Sequence, residues 1–228
     1  MLNIFIGYDS REVDAFLTLE HSIRKRSSVP VSIVPIKLAE VQDRGLYTRP
    51  RGPTESTEFS LTRFLVPALS EYTGWSVFMD CDMLCRADIA GLEGEIARQP
   101  DKALLVCKHD YTPSPARKFL NQVQTIYPRK NWSSVMVMNN ARCRALTPEY
   151  VNAASGLDLH RLNWLQGEEE IGALALEWNW LVTEYTYNAH ARIAHFTRGG
   201  PWFPEYRGCD YAGEWFAEFE SMKASASR

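Results

Sequence analysis

The chain has 228 residues, a mass of 26.1 kDa and a formal net charge of −3 at pH 7. Apolar residues make up 45% and charged residues 23%, a globular balance that excludes disorder, collagen-like sequence and a coiled coil as the main architecture. A weakly acidic chain has no general attraction to nucleic acid or to an anionic membrane. Nucleic acid is therefore not an expected partner. No apolar stretch reaches the ~20 residues of a membrane span, so no membrane span is expected either.

The N-terminus and the cysteines favour a cytoplasmic location. Residues 1–9 contain no basic stretch and no cleavage site, so no signal peptide is expected there. The five cysteines are an odd number, which favours reduced thiols over a disulfide framework. Cys81 and Cys85 lack neighbouring cysteine or histidine residues, so a zinc site is not expected.

The first half of the chain alternates predicted strands with predicted helices. Residues 2–6 read as an apolar strand, and residues 11–26 have the spacing of an amphipathic helix with Ser10 as its N-cap. A second strand is predicted over residues 31–36, where Pro35 favours an edge position. The remaining elements of this half are a polar loop over residues 38–56, a helix over residues 60–69 and a third strand over residues 75–79.

The pattern continues and then changes near residue 150. Further predictions are a short helix capped by Asp88, strands over residues 103–107 and 133–138, and a loop over residues 111–116. Alternating strands and helices indicate an α/β fold with a mostly parallel central sheet flanked by helices. Tryptophans become frequent afterwards, and residues 211–222 are predicted to form a closing helix. No linker divides the chain, so a single domain over residues 1–228 is expected.

Two aspartates follow the third predicted strand, with one residue between them. Alternate residues of an extended segment share a face, so Asp80 and Asp82 could point at one ion. Ligands of open α/β sheets bind at the carboxyl ends of the strands, and hard oxygen ligands suit Mg²⁺ or Mn²⁺. A surface turn with a capping aspartate is the alternative for so short a motif.

The segment around these aspartates resembles the metal-binding segment of glycosyltransferases with the GT-A fold, most of all family 8 and its relatives. It reads Phe-Met-Asp-Cys-Asp-Met-Leu-Cys-Arg-Ala-Asp-Ile from residue 78. Four further segments resemble that family in the same order: residues 4–9, 60–69, 132–139 and 195–202. The resemblance covers residues 2 to about 203. It implies a GT-A-type, Rossmann-like nucleotide-diphospho-sugar transferase fold.

Two departures from the family pattern concern the donor site. The late motif, His195-Phe-Thr-Arg-Gly-Gly-Pro-Trp, is one residue shorter than usual and lacks the lysine before Pro201 that would touch the diphosphate. Arg198 is the candidate replacement. In the fifth strand, Trp132-Ser133-Ser134 stands where the family has asparagine before a small residue. A sister group of family 8 is therefore an alternative.

The resemblance implies a metal-dependent glycosyltransferase. It would move a sugar from a UDP- or GDP-linked nucleotide-sugar donor to a hydroxyl of a saccharide or glycolipid acceptor, with retention of configuration. Asp80, Asp82 and His195 would hold a divalent cation that neutralises the leaving diphosphate, and an imidazole ligand favours Mn²⁺ over Mg²⁺. His190 is the nearby alternative ligand. Residues from about 1 to 140 would bind the donor, and residues from about 141 to 228 would face the acceptor and complete the metal site.

The same resemblance implies roles for further residues. The candidates for nucleotide and donor binding are Gly7, Tyr8, Asp9, Arg63, Asp80, Cys81, Ser133, Arg198, Gly199, Gly200 and Trp202. Glu169 and Glu170 are the candidates for a catalytic carboxylate beside the reacting sugar carbon. Structural alternatives are a helix-capping turn at residues 7–10, a solvated charge run at residues 168–170, and core packing for Trp202 and for residues 178–180. Residues 108–111 could overhang the sugar site or form an ordinary loop.

Two other functions stay open. A phosphatase-like hydrolase also carries Asp-x-Asp after a strand and uses the first aspartate as a nucleophile. Here Leu84 occupies the fifth position of that motif, and the third predicted strand carries it rather than the first. A non-catalytic nucleotide-sugar binding protein is the other alternative, against which the intact Asp80, Asp82 and His195 argue.

Overall fold

A six-stranded sheet forms the centre of the computed structural model, which describes residues 1–52, 55–110 and 129–226. Its strand order is β2-β1-β3-β6-β5-β7, and a second sheet has the order β4-β9-β8. The strands are β1 (Leu2–Gly7), β2 (Val31–Ile36), β3 (Trp75–Met79), β4 (Met83–Cys85), β5 (Leu104–Cys107), β6 (Val135–Asn139), β7 (Ile171–Leu174), β8 (Trp180–Leu181) and β9 (Ile193–His195).

Parallel pairings dominate the central sheet, as the alternation of strands and helices predicted. The pairs β1–β2, β1–β3 and β5–β7 are parallel, and β6 runs antiparallel to both of its neighbours. The edge position that Pro35 indicated for β2 is confirmed. Strands β1, β3, β5 and β6 are almost fully buried, which explains their continuous apolar sequences.

The helices of the described residues are short except for the first and the last. They are α1 (Val13–Arg26), α2 (Leu38–Asp43), α3 (Val66–Leu69), α4 (Gly91–Arg98), α5 (Pro148–Ala153), α6 (Gly156–His160) and α7 (Ala212–Ala226). The loop predicted for residues 38–56 therefore contains α2, and the helix predicted for residues 60–69 is a 3₁₀ turn, Thr62–Leu65, followed by α3. No helix in these described ranges is long and apolar enough to cross a bilayer.

Both predicted helix caps were wrong. Helix α1 starts two residues later than predicted, and Glu12 occupies its N-cap position, while Ser10 donates its hydroxyl to Glu58. Helix α4 has Ala90 at its N-cap, although the Asp88 carboxylate accepts the Ala90 N–H. The strand predicted over residues 133–138 starts later, because Trp132–Ser134 form a 3₁₀ turn ahead of β6. The loop predicted over residues 111–116 lies outside the described residues.

Two apolar clusters hold the elements together. The larger one packs α1, α3 and α4 against the central sheet and contains most of the buried aliphatic side chains. The smaller one lies under the second sheet, where β4 and β9 meet α7, and includes Phe196, Tyr211 and Trp215. Because only residues 80–82 separate β3 from β4, Asp80 and Asp82 lie where the two sheets meet.

Candidate functional site

Three potential metal ligands converge at the junction of the two sheets. Asp80 follows β3, Asp82 precedes β4, and His195 ends β9. Strand β4 pairs antiparallel with β9, and the Phe196 N–H donates to the Asp82 carbonyl at 2.8 Å. This pairing sets His195 beside the aspartates although more than a hundred residues separate them in sequence. The ligand atoms of the three side chains all lie within 4.8 Å of one another.

The orientation of the His195 ring is fixed by Asn179. The Asn179 Nδ2 atom donates to the Asn131 carbonyl at 3.1 Å and to Ser134 Oγ at 2.9 Å. The Ser134 hydroxyl itself donates to Asn131 O, so its oxygen can only accept from Asn179. Asn179 Oδ1 is then the acceptor for His195 Nδ1–H, at 2.8 Å. In the neutral imidazole the lone pair lies on Nε2, which faces Asp82.

This arrangement fits a cation. His195 Nε2 and Asp82 Oδ1 are 3.4 Å apart, and both atoms present lone pairs to each other. Among the residues that the structure describes, Asp82 Oδ1 has no hydrogen-bond partner although it is buried. Ligands around one divalent cation lie roughly 3 Å apart, so a metal ion would satisfy both atoms at once. Two carboxylates and one imidazole form a donor set that suits Mn²⁺ or Mg²⁺.

Arg63 holds Asp80 in place. Its Nη1 donates to Asp80 Oδ1 at 2.6 Å and to the Ser133 carbonyl at 2.9 Å. The guanidinium packs against the rings of Phe59 and Phe78, 5.2 and 5.0 Å from their centroids. Arg63 is 6% exposed, so the structure places it as a support for Asp80 rather than as a solvated surface charge.

A cleft of about 510 Å³ opens over the three candidate ligands. Hydroxyl groups are frequent in its wall, together with a few cationic side chains. The hydroxyl-bearing residues that line it are Ser56, Thr57, Ser60, Ser133, Ser134, Ser155 and Thr197. The predicted site residues that line it are Arg63, Asp80, Asp82, Ser133 and His195. A wall of this kind offers many short hydrogen-bonding groups to a polyhydroxylated ligand.

Asp9 is buried and engaged within the protein. Its carboxylate accepts from the Arg11 guanidinium at 2.8 and 2.6 Å and from the Glu58 N–H at 3.1 Å. Burial by itself would raise the pKa of Asp9, but the hydrogen bonds from Arg11 outweigh it and hold the pKa below its usual value. Asp9 therefore ties the turn after β1 to the segment around residue 58.

Gly7 and Tyr8 close the end of β1. A Cβ atom at Gly7 would lie 2.3 Å from the ring of Phe59, so only glycine fits there. Tyr8 is half-buried and packs edge-on against Phe16, with the Lys37 ammonium 5.7 Å from its ring centroid. The close packing at Gly7 brings Phe59 to the position where it covers Arg63.

Glu169 and Glu170 lie at the other end of the central sheet. They precede β7, and Ile171 is level with Ser76 of β3 through the pairings of β5 and β6. Asp80 lies four residues beyond Ser76, which is about 13 Å along the strand, and three strand spacings of about 4.8 Å separate β7 from β3. The structure therefore does not bring the two glutamates together with the metal ligands.

The turn that carries the late motif, around residues 198–202, makes most of its contacts within the protein. Arg198 forms a bidentate pair with the buried Glu184 at 2.9 and 3.2 Å. Gly199 has a φ of 138°, which favours glycine, and its N–H donates to a carbonyl within the turn at 2.8 Å. A Cβ atom at Gly200 would lie 2.0 Å from the ring of Trp202, which packs into the smaller cluster.

The remaining predicted residues fall at different depths. Ser133 lines the cleft, and its hydroxyl hydrogen bonds to His160 at 2.8 Å. Cys81 is fully buried, and burial raises the pKa of its thiol well above the usual value. Its side chain therefore points into the core. His190 is exposed and lies outside the group of three candidate ligands.

Two contributors to the site, Asn179 and Glu12, did not stand out in the sequence, and a third residue, His109, lies in the segment 108–111 that was predicted to overhang the sugar site or form an ordinary loop. Asn179 lies between two tryptophans and is predicted to pack in the core, although an amide among apolar residues is a signal for a buried hydrogen bond. Glu12 is 2% exposed. His109 is buried against Tyr185, whose hydroxyl lies 2.9 Å from its Nδ1. Burial lowers the pKa of His109 to about 3, with a smaller contribution from His195, so this imidazole is neutral.

Solved structures of glycosyltransferases have a similar fold. The apo structure of the bifunctional glycosyltransferase WbbM matches 96% of this chain and 49% of its own, with a TM-score of 0.63 and 14% identity. GlyE of Streptococcus pneumoniae TIGR4 matches 96% of this chain and 60% of its own, with a TM-score of 0.62 and 11% identity. The galactosyltransferase LgtC, in complex with donor and acceptor sugar analogues, matches 96% of both chains with a TM-score of 0.56 and 11% identity.

These matches define the class of fold. The chain has the GT-A fold, as the resemblance of its motifs predicted, and it spans about half the length of WbbM and 60% of that of GlyE. Protein CDI of Arabidopsis thaliana is 47% identical over 225 residues, which cover 95% of this chain and 85% of that protein. The chain belongs to the family of Protein CDI. No protein-family model matches its sequence.

Proposed function

We propose that this protein is a metal-dependent glycosyltransferase that moves a sugar from a UDP- or GDP-linked donor to a hydroxyl of a saccharide or glycolipid acceptor, with retention of configuration. The observation that carries the proposal is the opposed pair His195 Nε2 and Asp82 Oδ1, 3.4 Å apart beside Asp80. This cation-fitting pair lies at the bottom of a hydroxyl-lined cleft in a GT-A fold.

Asp80, Asp82 and His195 would hold Mn²⁺ or Mg²⁺, with the imidazole favouring Mn²⁺. When bound, the cation would neutralise charge that develops on the leaving diphosphate. Arg63 keeps Asp80 oriented toward the cation site, and Asn179 keeps the Nε2 lone pair of His195 directed there. The hydroxyl groups of the cleft would bind and orient the sugars.

The proposed site draws on both halves of a single domain over residues 1–228. Residues from about 1 to 140 supply Arg63, Asp80 and Asp82 for the donor, and residues from about 141 to 228 supply Asn179 and His195. The other donor contacts that the resemblance implies remain predictions. They involve Gly7, Tyr8, Asp9, Cys81, Ser133, Arg198, Gly199, Gly200 and Trp202. We place the protein in the cytoplasm, because its five cysteines, all within the described residues, are free thiols.

Thermal unfolding with nucleotides and metal tests the donor site. UDP or GDP is expected to raise Tm in the presence of Mn²⁺ and much less in its absence, because a ligand of the native state stabilises it by mass action. Asp82→Asn is expected to abolish the metal-dependent shift, and Asp101→Asn, an exposed aspartate elsewhere, is expected to retain it. The proposal would be contradicted if Mn²⁺ made no difference to the Tm shift with UDP and none to the shift with GDP.

Transfer is tested by nucleotide release from UDP- and GDP-sugars with a panel of saccharide acceptors. Release that requires both Mn²⁺ and an acceptor, together with a glycosylated product, is the expected result. Nucleotide binding without release would identify a binding protein instead. Phosphate release from phosphate esters, lost in Asp80→Asn, would identify the hydrolase.

A further inference from the structure

Glu12 is a buried acidic residue beside the candidate metal ligands. It is 2% exposed, and its Oε1 atom is buried and makes no hydrogen bond with any residue in the described ranges. Although Glu12 occupies the N-cap position of α1, its carboxylate makes no capping bond. Its side chain is therefore buried for a reason other than capping, and an unsatisfied buried carboxylate carries a large cost.

Helix α1 runs alongside β4, because the Cys85 N–H donates to Ser22 Oγ at 3.1 Å and the Ser28 N–H donates to Asp88 Oδ1 at 3.1 Å. The first turn of α1, with Glu12 at its N-cap, therefore lies beside the segment of Asp80 and Asp82.

Burial raises the pKa of Glu12 well above its usual value, and the strongest charged neighbour that raises it further is Asp82, followed by Asp9 and with a smaller effect from Asp80. Arg11 opposes this effect, but its guanidinium is hydrogen-bonded to Asp9. The N-terminus of the 14-residue helix α1 also favours a negative charge, by a modest amount.

Two buried carboxylate oxygen atoms in this region both lack a hydrogen-bond donor among the described residues. Asp82 Oδ1 and Glu12 Oε1 are both buried, and within the described residues neither accepts a hydrogen bond. Since Asp82 is also the strongest charged neighbour of Glu12, a positive charge in the candidate metal site would relieve both carboxylates. Glu12 does not belong to the group of side chains whose ligand atoms lie within 4.8 Å of one another. Its place is therefore outside the first ring of ligands.

We propose that Glu12 is a third acidic residue of the metal centre, which strengthens cation binding from outside the ligand set of Asp80, Asp82 and His195 by accepting a hydrogen bond from a water ligand of the cation. The inference rests on the proposed function, because it needs that metal centre. Glu12 is a positioning residue in this scheme, since it acts on the cation through water. Outer-shell partners of this kind commonly change metal affinity by 10–100-fold.

Mn²⁺ binding without nucleotide or sugar tests the inference directly. The electron paramagnetic resonance signal of free Mn²⁺ reports the Kd for Mn²⁺ in a titration of the full chain. Glu12→Gln, which keeps the shape and removes the charge, is expected to raise this Kd at least tenfold. Glu218→Gln is the matched control, because Glu218 is equally buried but pairs with His21 and Arg26 on α1. This control is expected to leave the Kd unchanged.

The stability of the metal-free protein supplies a second readout. Glu12→Gln removes a buried acidic group whose charged form is disfavoured by burial and by Asp82, so Tm without metal is expected to stay the same or rise. A merely structural Glu12 would give the reverse pattern, with a lower Tm and an unchanged Kd for Mn²⁺. Glu12→Asp retains the charge on a shorter side chain and is expected to bind Mn²⁺ more tightly than Glu12→Gln; the opposite order overturns the proposal.

Asp82→Asn separates this inference from the proposed function. If Asp82→Asn loses Mn²⁺ binding while Glu12→Gln binds within twofold of the wild type, the metal centre stands and only the role of Glu12 is overturned. If Asp82→Asn binds Mn²⁺ as the wild type does, the metal centre itself is wrong and both proposals fail.

Discussion

Asn179 decides which nitrogen of His195 faces the aspartates. Its amide group is held by two acceptors, the Asn131 carbonyl and Ser134 Oγ, so its oxygen is committed to His195 Nδ1. A ring without this partner could turn or carry its proton on Nε2, and that tautomer cannot bind a cation through Nε2. The metal affinity of the site therefore depends on a neutral amide as well as on charged ligands.

Replacing Asn179 is expected to weaken metal binding without unfolding the protein. Asn179→Ala should raise the Kd for Mn²⁺ by about 10–100-fold, the usual effect of losing a hydrogen-bond partner of a histidine ligand. Isothermal titration with Mn²⁺ gives the Kd. Asn140→Ala is the matched control, since Asn140 is a buried asparagine that donates to Thr73 O and Ser76 Oγ, far from the cluster. Equal losses in both variants would contradict a specific role for Asn179.

Arg63 balances the charge of Asp80 when metal is absent. Arg63→Met should lower the free energy of unfolding by about 3 kcal/mol, because it removes the cationic partner of a largely buried carboxylate at Asp80. Mn²⁺ should recover part of this loss. Urea unfolding with and without Mn²⁺ measures both effects. Arg24→Met, which removes an exposed pair with Glu20 on α1, should cost less than about 1 kcal/mol and show no Mn²⁺ dependence.

The position of Glu169 and Glu170 makes a direct catalytic role testable. Because both residues precede β7 at the end of the sheet opposite Asp80, Glu169→Gln and Glu170→Gln should each change kcat by less than about threefold, an effect of under 1 kcal/mol. Steady-state nucleotide release from the UDP- or GDP-sugar that the wild type turns over gives kcat. A loss of a hundredfold or more in either variant would show that the glutamates reach the sugar, as the resemblance implied.

The sequence contained enough to predict the candidate metal ligands and too little to predict their supports. Asp80 and Asp82 are separated by one residue and follow an apolar strand, so a local motif pointed to them. The hydrogen bond that His195 donates to Asn179 depends on the pairing of β8 with β9, strands of two and three residues. Such short strands carry no periodicity, and the residues that they bring together cannot be read from spacing.

Helices α1 and α7 are joined by one buried carboxylate. Glu218 on α7 is 3% exposed and accepts from His21 at 2.7 Å and from Arg26 at 2.6 Å, with Lys25 at 3.5 Å. Burial by itself would raise the pKa of Glu218, but the hydrogen bonds and charges from Arg26 and His21 outweigh it and lower the pKa. The ion pairs therefore favour the charged carboxylate in the folded protein.

The Glu218 carboxylate should make the stability of the folded protein depend on pH in the acidic range. Because the folded-state pKa of Glu218 lies below its ordinary value of 4.5, its contribution is fully present above that value and is lost as pH falls through the folded-state pKa. Glu218→Gln should cost about 1–3 kcal/mol at pH 7, and the difference from wild type should shrink below pH 4.5. Tm measured from pH 7 to pH 3 checks this.

Glu220→Gln is the control for the acid dependence. Glu220 lies on the same helix but is exposed and pairs only with Lys223 one turn away. Its replacement should change Tm little at any pH. A difference between wild type and Glu218→Gln that stays constant from pH 7 to pH 3 would contradict the role of the ion pairs.

Strands β1, β3, β5 and β6 were predictable because they are almost fully buried, so their apolar runs are continuous. The predicted bounds of β3 match the structure to the residue, and so do those of the edge strand β2, which is rich in β-branched residues. Strand β7 escaped prediction because it is four residues long, contains glycine and follows an acidic run. Helices α5 and α6 have five or six residues, too few for a 3.6-residue period to emerge.

The candidate metal site lies where the two sheets of the molecule meet. Asp80 belongs to the end of the central sheet, whereas Asp82 and His195 flank the second sheet, which packs on α7 through the smaller apolar cluster. Strand β9 has only three residues, and its attachment to the central sheet passes through the segment of Asp80 and Asp82. A cation bound by all three side chains would therefore cross-link the larger core with the smaller one.

Cation binding should consequently stabilise one part of the molecule more than the rest. Hydrogen exchange with and without Mn²⁺ should show slower exchange in β4 and β9, since opening of the second sheet would then also break metal–ligand bonds. Exchange in β2, at the far edge of the central sheet, should change little. Asp82→Asn should remove the difference, because the link between the sheets needs its carboxylate. Uniform protection of β2 and β9, or none in β9, would mean that the cation does not connect the two sheets.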